Sequence, residues 1–302
     1  MTIKDAILWG FEQLTPTSDS PRVDAELLLA HVLGQSTTRL FTHDKESLDR
    51  FLWMPVNLWR FRCLIRKRRQ GMPVAYLLGH KEFYGLDFKV SRHVLVPRPD
   101  TEILVDCVIS YLNSQFPISN QIRNSIPDQV RDEIRNPLLV DVGTGSGCIP
   151  ISILKNIPTL HAMATDISWR ALRVAKANAR KHRVEDRLML AWSDLLGSVD
   201  TAELEDSEII LTANLPYLPD KMEVKPELGF EPSIALYGGS DGMDVYRRLM
   251  TEMEVLRPKA IFLELYEWPI ALIQAQFPDY GLKFAKTMSG EARCLMLERK
   301  YN

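Results

Sequence analysis

Apolar positions in the first part of the chain recur at helical spacing. Over residues 2–14, Ile3, Ile7, Leu8, Phe11 and Leu14 fall on one face. Ser20-Pro21 then offers an N-cap followed by proline at the first helical position. The run Ala25, Leu28, Leu29, Val32 follows, and Gly34 can end that helix in the left-handed conformation. Residues 46–70 resume the helical pattern, with Pro55 as a break or kink. These segments predict a small helical bundle over about 1–75.

The period changes at EFYGLDFKV (82–90), where aromatic and β-branched residues alternate around Gly85, and a β-hairpin linker is expected over 76–96. Pro97 and Pro99 hold the next stretch extended. Asp100 or Thr101 then caps a helix bearing Ile103, Leu104, Cys107, Val108 and Tyr111. Residues 113–136 are rich in Asn, Ser, Gln, Pro and charge and read as a surface insertion, with one helical turn at DQVRDEIR. From 138 onward strands alternate with helices. Strands are expected at 138–142, 161–165, 187–192, 208–214 and 260–265. Helices are expected to about Asn156, over 168–182 and 241–256, and to about Phe277. Two late strands near 282–287 and 293–299 join through Ser289-Gly290. This order implies a mostly parallel, doubly wound sheet of α/β class closed by an antiparallel edge, over about 97–302.

Composition narrows the class without naming a function. The chain has 302 residues, 46% of them apolar and 25% charged, which suits a globular protein of two domains. No run of 18 apolar residues is present, and Asp5 and Glu12 interrupt the N-terminal pattern, so neither a membrane span nor a signal peptide is expected. Four scattered cysteines and six scattered histidines support no disulfide framework and no metal site, and fit a reducing cytoplasm. The net charge of −2 divides as +4 over residues 1–92 and −6 beyond.

Chemistry gathers where strands end. DVGTGSG (141–147) follows the first strand of the α/β part, and its alternate glycines let backbone approach a ligand without Cβ clashes. The spacing is GxGxG rather than the GxGxxG of a pyrophosphate binder, which suits an adenosyl-amino acid better than a dinucleotide. An ordinary strand-to-helix turn also uses glycine. The candidate cofactor contacts here are Gly143, Thr144, Gly145, Ser146 and Gly147. Asp166 ends the second strand, where a carboxylate can accept from both ribose hydroxyls; alternatively, Asp166 or Ser168 caps the next helix. After the third strand, Asp194 can accept from an adenine amino group while Leu195 packs on the ring; the alternative for Asp194 is a solvated loop carboxylate.

Asn214-Leu215-Pro216-Tyr217 follows the fourth strand. An amide nitrogen is a poor nucleophile. Its methylation needs acceptors that hold both N–H bonds and turn the lone pair toward an electrophilic methyl. The Asn214 side-chain oxygen and the Leu215 carbonyl are two such acceptors, Pro216 stiffens the turn, and Tyr217 offers a ring for packing. Catalysis then rests on positioning and desolvation rather than on a strong base. Taken alone, the tetrapeptide is an ordinary Asn-containing turn.

The whole resembles the release factor glutamine methyltransferases (PrmC/HemK). The matching segments are QGMPVAYLLGHKEFYGLDFKV (70–90), VLVPRPDTEILVD (94–106), DVGTGSGCIPISI (141–153), ATDISWRALRVAKANA (164–179), NLPY (214–217), EPSIALYGGSDGMDVYRRL (231–249), FLEL (262–265) and SGEAR (289–293). The resemblance implies a class I S-adenosylmethionine-dependent methyltransferase fold with seven strands. It also implies S-adenosyl-L-methionine as cofactor, with Asn214 touching it too, and peptide chain release factors as protein substrates docked by the helical domain. Further expectations are a cytoplasmic monomer without direct nucleic-acid binding. The chain departs from the family at Leu215, where the pattern has proline, and at Tyr266, which replaces a glycine. Trp268-Pro269 lacks the family glutamine, and the 113–136 insertion is long.

Other signals carry less. RFRCLIRKRRQ (60–70) reads as a solvated helix face, or as a contact for RNA or an acidic partner. Trp9, Trp53 and Trp59 are expected to fill the small core, and Glu231 fits either the site or a salt bridge. A nucleic-acid adenine methyltransferase poses the same chemical problem, but no target-recognition domain is evident. A non-catalytic protein keeping the fold is opposed by the intact glycines, Asp166 and Asn214.

Overall fold

The computed structural model describes residues 1–50, 54–116, 137–199, 208–265, 270–286 and 290–300. Two compact units emerge: Met1–His80 with Glu223–Glu231, and Lys81–Met222 with Pro232–Asn302. The turn expected at 128–135 lies outside the described residues, as do Trp53, Tyr266, Trp268, Pro269 and Ser289.

The first unit holds α1 (Ile3–Leu14), α2 (Pro21–Leu33), α3 (Thr37–Thr42), α4 (Met54–Arg69) and α5 (Val74–Leu78). Thr2 and Asp5 form a reciprocal capping box on α1. The inward face of α1 is Ile3, Ala6, Gly10 and Leu14, whereas Leu8 and Phe11 are exposed, contrary to the expected stripe. Small residues set this face. A Cβ on Gly10 would lie 2.9 Å from the Ala25 Cβ and 3.0 Å from Phe61, so the helices meet too closely for a larger side chain. Trp59 is also not in the core; Phe61 and Ile65 take the inward face of α4. Pro55 sits in the first turn of α4, where its missing N–H breaks no helical bond. Within the basic stretch, Arg68 is buried and paired with Asp24 at 2.6 Å and with Glu227, which ties the 223–231 segment into this unit. Glu231, in that segment, is buried.

The second unit opens with a hairpin, β1 (His80–Phe83) and β2 (Leu86–Lys89). Its two turn residues, Tyr84 and Gly85, have φ of 53° and 70°, the geometry of a tight hairpin turn. Rather than acting as a separate linker, the hairpin buries Phe83 and Phe88 in the core of this unit. Then come α6 (Glu102–Gln115), β3 (Pro137–Val142), α7 (Cys148–Asn156), β4 (His161–Asp166), α8 (Trp169–Lys181), β5 (Leu188–Trp192) and β6 (Glu208–Ala213). The chain closes with α9 (Asp244–Leu256), β7 (Ala260–Glu264), α10 (Ile270–Gln276), β8 (Tyr280–Lys286) and β9 (Ala292–Arg299). Helix α6 thus takes in the first residues assigned above to the insertion.

The seven strands run β5-β4-β3-β6-β7-β9-β8, parallel except that β9 is antiparallel to β7 and β8. Alternation along each strand divides the core in two. Leu139, Ile210 and Phe262 face the side covered by α6 and α7; Val140, Leu211 and Ile261 face α9 and α10. From β3 the chain winds outward to β4 and β5, then returns to β6 on the other side. That reversal opens a crevice at the carboxyl ends of β3 and β6, where ligands bind in such sheets. No helix among the described residues is long and apolar enough to cross a membrane.

Candidate functional site

The crevice is a cleft of about 190 Å³ in the second unit. It gathers Gly143, Thr144, Gly145, Ser146, Asp166, Asp194, Leu195, Asn214, Leu215 and Pro216 from four separate strand ends. Two residues expected there do not line it. Gly147 lies beneath the loop, where a Cβ would meet Ile151 at 2.9 Å and Ala175 at 3.2 Å. Tyr217 is half-buried and packs against the apolar core instead.

The glycine turn is held by its neighbour. The N–H groups of Gly143 and Thr144 both donate to the Thr165 carbonyl at 2.9 Å, which bends the chain across the end of β4. Gly145 has a φ of 56°, and a Cβ there would meet nothing within 4 Å, so its bare face opens to the cleft. At Gly143 a Cβ would lie 2.7 Å from Leu215 Cδ2; the Leu215 side chain covers that glycine. Asn178 on α8 donates to the Ser146 carbonyl at 2.8 Å and exchanges two bonds with the Lys89 backbone, tying the turn to the end of the hairpin.

Asp166 accepts from Gly145 N–H through Oδ2 and from Ser168 N–H through Oδ1, each at 2.8 Å. Ser168, not Asp166, caps α8, accepting from Ala171 N–H. Each Asp166 oxygen keeps a lone pair for a further donor such as a ribose hydroxyl. Burial raises the Asp166 carboxyl above its usual range, against the two backbone bonds. Asp194 is paired with Arg248 at 2.7 Å on the exposed rim, neither free nor buried. Leu195 beside it is buried with φ 52°.

Asn214 follows β6. Its side-chain nitrogen donates to Glu264 Oε2 at 2.8 Å and to Thr101 Oγ at 3.2 Å. Its oxygen accepts from no described residue. Leu215 N–H meets the Tyr246 hydroxyl at 3.2 Å, and that hydroxyl donates to the Glu264 carbonyl at 2.6 Å. The loop at 236–242 braces the far side. A Cβ on Gly238 would lie 2.4 Å from the Pro216 carbonyl oxygen, and one on Gly242 2.2 Å from that of Tyr217, so only glycine fits at either position. Thr101 stands at the N-cap of α6 but makes no capping bond; its hydroxyl is used at Asn214 and Glu264 instead.

Sequence reasoning missed Asp141, Asn178, Tyr246, Glu264 and the role of Thr101. Asp141 and Glu264 lie within the family-like segments 141–153 and 262–265 and are acids on apolar strands, which is the one signal available for them. Asp141 is fully buried and accepts from Thr212 at 2.7 Å, and burial pushes its carboxyl up to about 7. The open face at Gly145 with Asp166 beyond fits a nucleoside ribose.

Comparison with known proteins bears on this geometry. Residues 5–79 match the model described as PrmC N-terminal domain, and residues 128–217 match that of the Methyltransferase small domain. A release factor glutamine methyltransferase of Koribacter versatilis is 35% identical over 90% of this chain and 88% of its own length. The chain belongs to the release factor glutamine methyltransferase family. A second member, from Rhodopirellula baltica, is 36% identical over 78% of this chain and 73% of its own. The chain also matches the bifunctional methyltransferase of Rickettsia bellii, at 34% identity over 76% of this chain, and spans 41% of that protein's length; against its Rickettsia typhi counterpart it spans about half. Among solved structures, the hMettl16 catalytic domain in complex with a MAT2A 3′UTR hairpin has a TM-score of 0.52 at 11% identity, covering 72% of this chain and 77% of that one. That likeness concerns the fold alone, which is the class I methyltransferase fold.

Proposed function

We propose that the protein transfers a methyl group from S-adenosylmethionine to the side-chain amide nitrogen, N5, of the glutamine in the Gly-Gly-Gln loop of a peptide chain release factor. The observation that carries this reading is the turn at 214–216: Asn214, whose side-chain oxygen accepts from no described residue, and Leu215 line the edge of a cleft whose other wall is the glycine turn and Asp166. Family membership supports the choice of a release factor as substrate.

The cofactor, when bound, supplies an electrophilic methyl on a cationic sulfur. Asp166 accepts from the ribose hydroxyls, the bare face of Gly145 admits the cofactor to the backbone, and Leu195 packs on the adenine. At the rim, Asp194 in its pair with Arg248 keeps lone pairs for the adenine amino group. Asn214 Oδ1 and the Leu215 carbonyl each accept one N–H of the substrate amide and aim its lone pair at the methyl. As the N–C bond forms and the methyl–sulfur bond breaks to leave a neutral thioether, positive charge passes to the substrate nitrogen and both dipoles stabilise it. The proton leaves afterwards to water, so no strong base is required. Pro216 limits the turn's freedom, and Tyr217 anchors it in the core. We assign docking of the release factor to the helical unit, where Leu8, Phe11 and Phe41 line an exposed groove. Such a substrate implies work in the cytoplasm.

Labelled methyl donor incubated with a release factor tests the reading. Label is expected on the intact factor and not on one whose loop glutamine is replaced by alanine. Asn214→Ala should slow single-turnover transfer by about 100-fold, the usual cost of losing one aimed electrostatic partner. Labelling that survives loss of the glutamine, or Asn214→Ala at wild-type rate, overturns it.

A further inference from the structure

Behind Asn214 lies a buried acid that the reaction as described does not use. Glu264 ends β7 and is 3% exposed; Thr101, beside it, is 2% exposed. An ionised carboxylate only accepts hydrogen bonds, and the Thr101 hydroxyl proton is directed to Glu264. Both neighbours can therefore only accept from Asn214, at 2.8 Å and 3.2 Å. This fixes the amide with its nitrogen inward and leaves the oxygen for the cleft. The Glu264 backbone is pinned too, because its carbonyl takes the Tyr246 hydroxyl that also meets Leu215 N–H. A carboxylate so deeply buried bears a desolvation penalty that a neutral side chain would not. Its place one hydrogen bond from Asn214 gives that cost a use.

We propose that Glu264, helped by Thr101, is a positioning residue for methyl transfer: it holds the Asn214 amide with its oxygen toward the substrate and, as a carboxylate, polarises that amide while positive charge grows on the substrate nitrogen. The inference rests on the functional reading above, in which Asn214 Oδ1 accepts from the substrate amide.

Burial raises the Glu264 carboxyl to about 7; the Thr101 hydrogen bond, Arg293 and Arg98 act downward, and Asp100 acts upward. From the packed elements it also faces Cys294 on β9, Cys148 at the start of α7 and Tyr246 on α9. Burial raises Cys148 and Tyr246, and the Cys107 hydrogen bond together with burial raises Cys294, so all three stay protonated at neutral pH and Glu264 is the group touching Asn214 that changes charge there. An acid with its midpoint near 7 is ionised above it, so the transfer rate should rise with pH through about 7. Asp141 titrates in the same range, and a variant must separate the two.

Single-turnover methyl transfer to a release factor, followed from about pH 5.5 to 9 with cofactor affinity measured by calorimetry, tests this. Glu264→Gln keeps the shape and an acceptor but not the charge. It should bind cofactor normally, run roughly 10- to 100-fold slower above neutrality, and lose the limb near 7. Thr101→Val removes the hydrogen bond that lowers the Glu264 carboxyl, so its limb should move to higher pH. That variant carries the test if Glu264→Gln fails to fold. A Glu264→Gln enzyme with wild-type rate and pH profile, a limb that persists in it, or an unmoved limb in Thr101→Val overturns the inference alone. A wild-type enzyme that labels no release factor overturns the functional reading, and this inference with it.

Discussion

Restoring the family proline at 215 should weaken the protein, although it leaves the chemistry in place. The Leu215 side chain is 5% exposed and covers the bare face of Gly143, its Cδ2 2.7 Å from where a Cβ would stand. Its N–H meets the Tyr246 hydroxyl at 3.2 Å. Leu215→Pro removes that donor, at about 1 kcal/mol for a buried hydrogen bond. It also trims one buried carbon, about 0.8 kcal/mol. A stiffer unfolded chain returns about 0.4–1 kcal/mol. The net loss is about 1 kcal/mol, or roughly 2–4 °C in Tm for a unit of this size. Asn214 Oδ1 and the carbonyl of residue 215 survive the change, so single-turnover methyl transfer should stay within about threefold of wild type. Thermal unfolding and the transfer assay on one preparation decide it. A variant that melts higher would show that the Tyr246 bond and the cover over Gly143 contribute nothing. A loss of transfer beyond about tenfold would show that the turn at 214–216 carries its acceptors differently.

Three further outcomes are expected. Gly145→Ala should fold with a cost of about 1–2 kcal/mol, since φ 56° is left-handed but the added Cβ meets nothing, while calorimetry finds cofactor affinity at least tenfold weaker because that Cβ occupies the cleft. Asp141→Asn should flatten the pH dependence of stability: the acid's midpoint is raised to about 7 on folding, so its contribution is complete below about 4 and lost as pH rises through 7, and thermal melts of the variant should fall less over that window. Arg68→Ala leaves Asp24 buried without its cation, so the helical unit should lose about 3 kcal/mol, read as faster hydrogen exchange in α2 and α4 with the sheet unaffected.

What can be read from consecutive residues is local. The strand-helix alternation, the glycine turn, Asp166 and the tetrapeptide each lie at the end of an apolar run, and a run with its turn chemistry spans fewer than twenty residues. The inward face of α1 is different. Ala6 and Gly10 form it because α2 and α4 come within a methyl group of the helix, and a stripe defined by large apolar residues points elsewhere, to Leu8 and Phe11. Asp194 illustrates a second limit: its partner Arg248 is 54 residues away, and nothing near Asp194 announces it. Thr101 is the sharpest case. By position it is a helix cap, yet a short helical turn at Pro99–Thr101 already leads the chain into α6, which frees its hydroxyl for Asn214, 113 residues on.

The buried acids show why so much of the site escapes local reading. Asp166 and Glu264 end their strands, Asp141 is one residue short of the end of β3, and burial raises each of them. A fold selected for stability alone would replace all three, because burial penalises the charged form of each and a neutral isostere would escape the penalty. Asp166 follows from its place at a strand end, but neither Asp141 nor Glu264 follows from its strand, where β-branched residues fit better. Their common feature is place: Asp166 lines the cleft, and Asp141 and Glu264 lie behind it, bonded to Thr212 and Asn214 toward the carboxyl ends of neighbouring strands. There the proposed chemistry brings a cationic cofactor and moves positive charge onto the substrate nitrogen. The same desolvation that raises these carboxyls strengthens their hold on a cation once ionised, so the stability given up at the strand ends is the form in which the site stores its preference for positive charge.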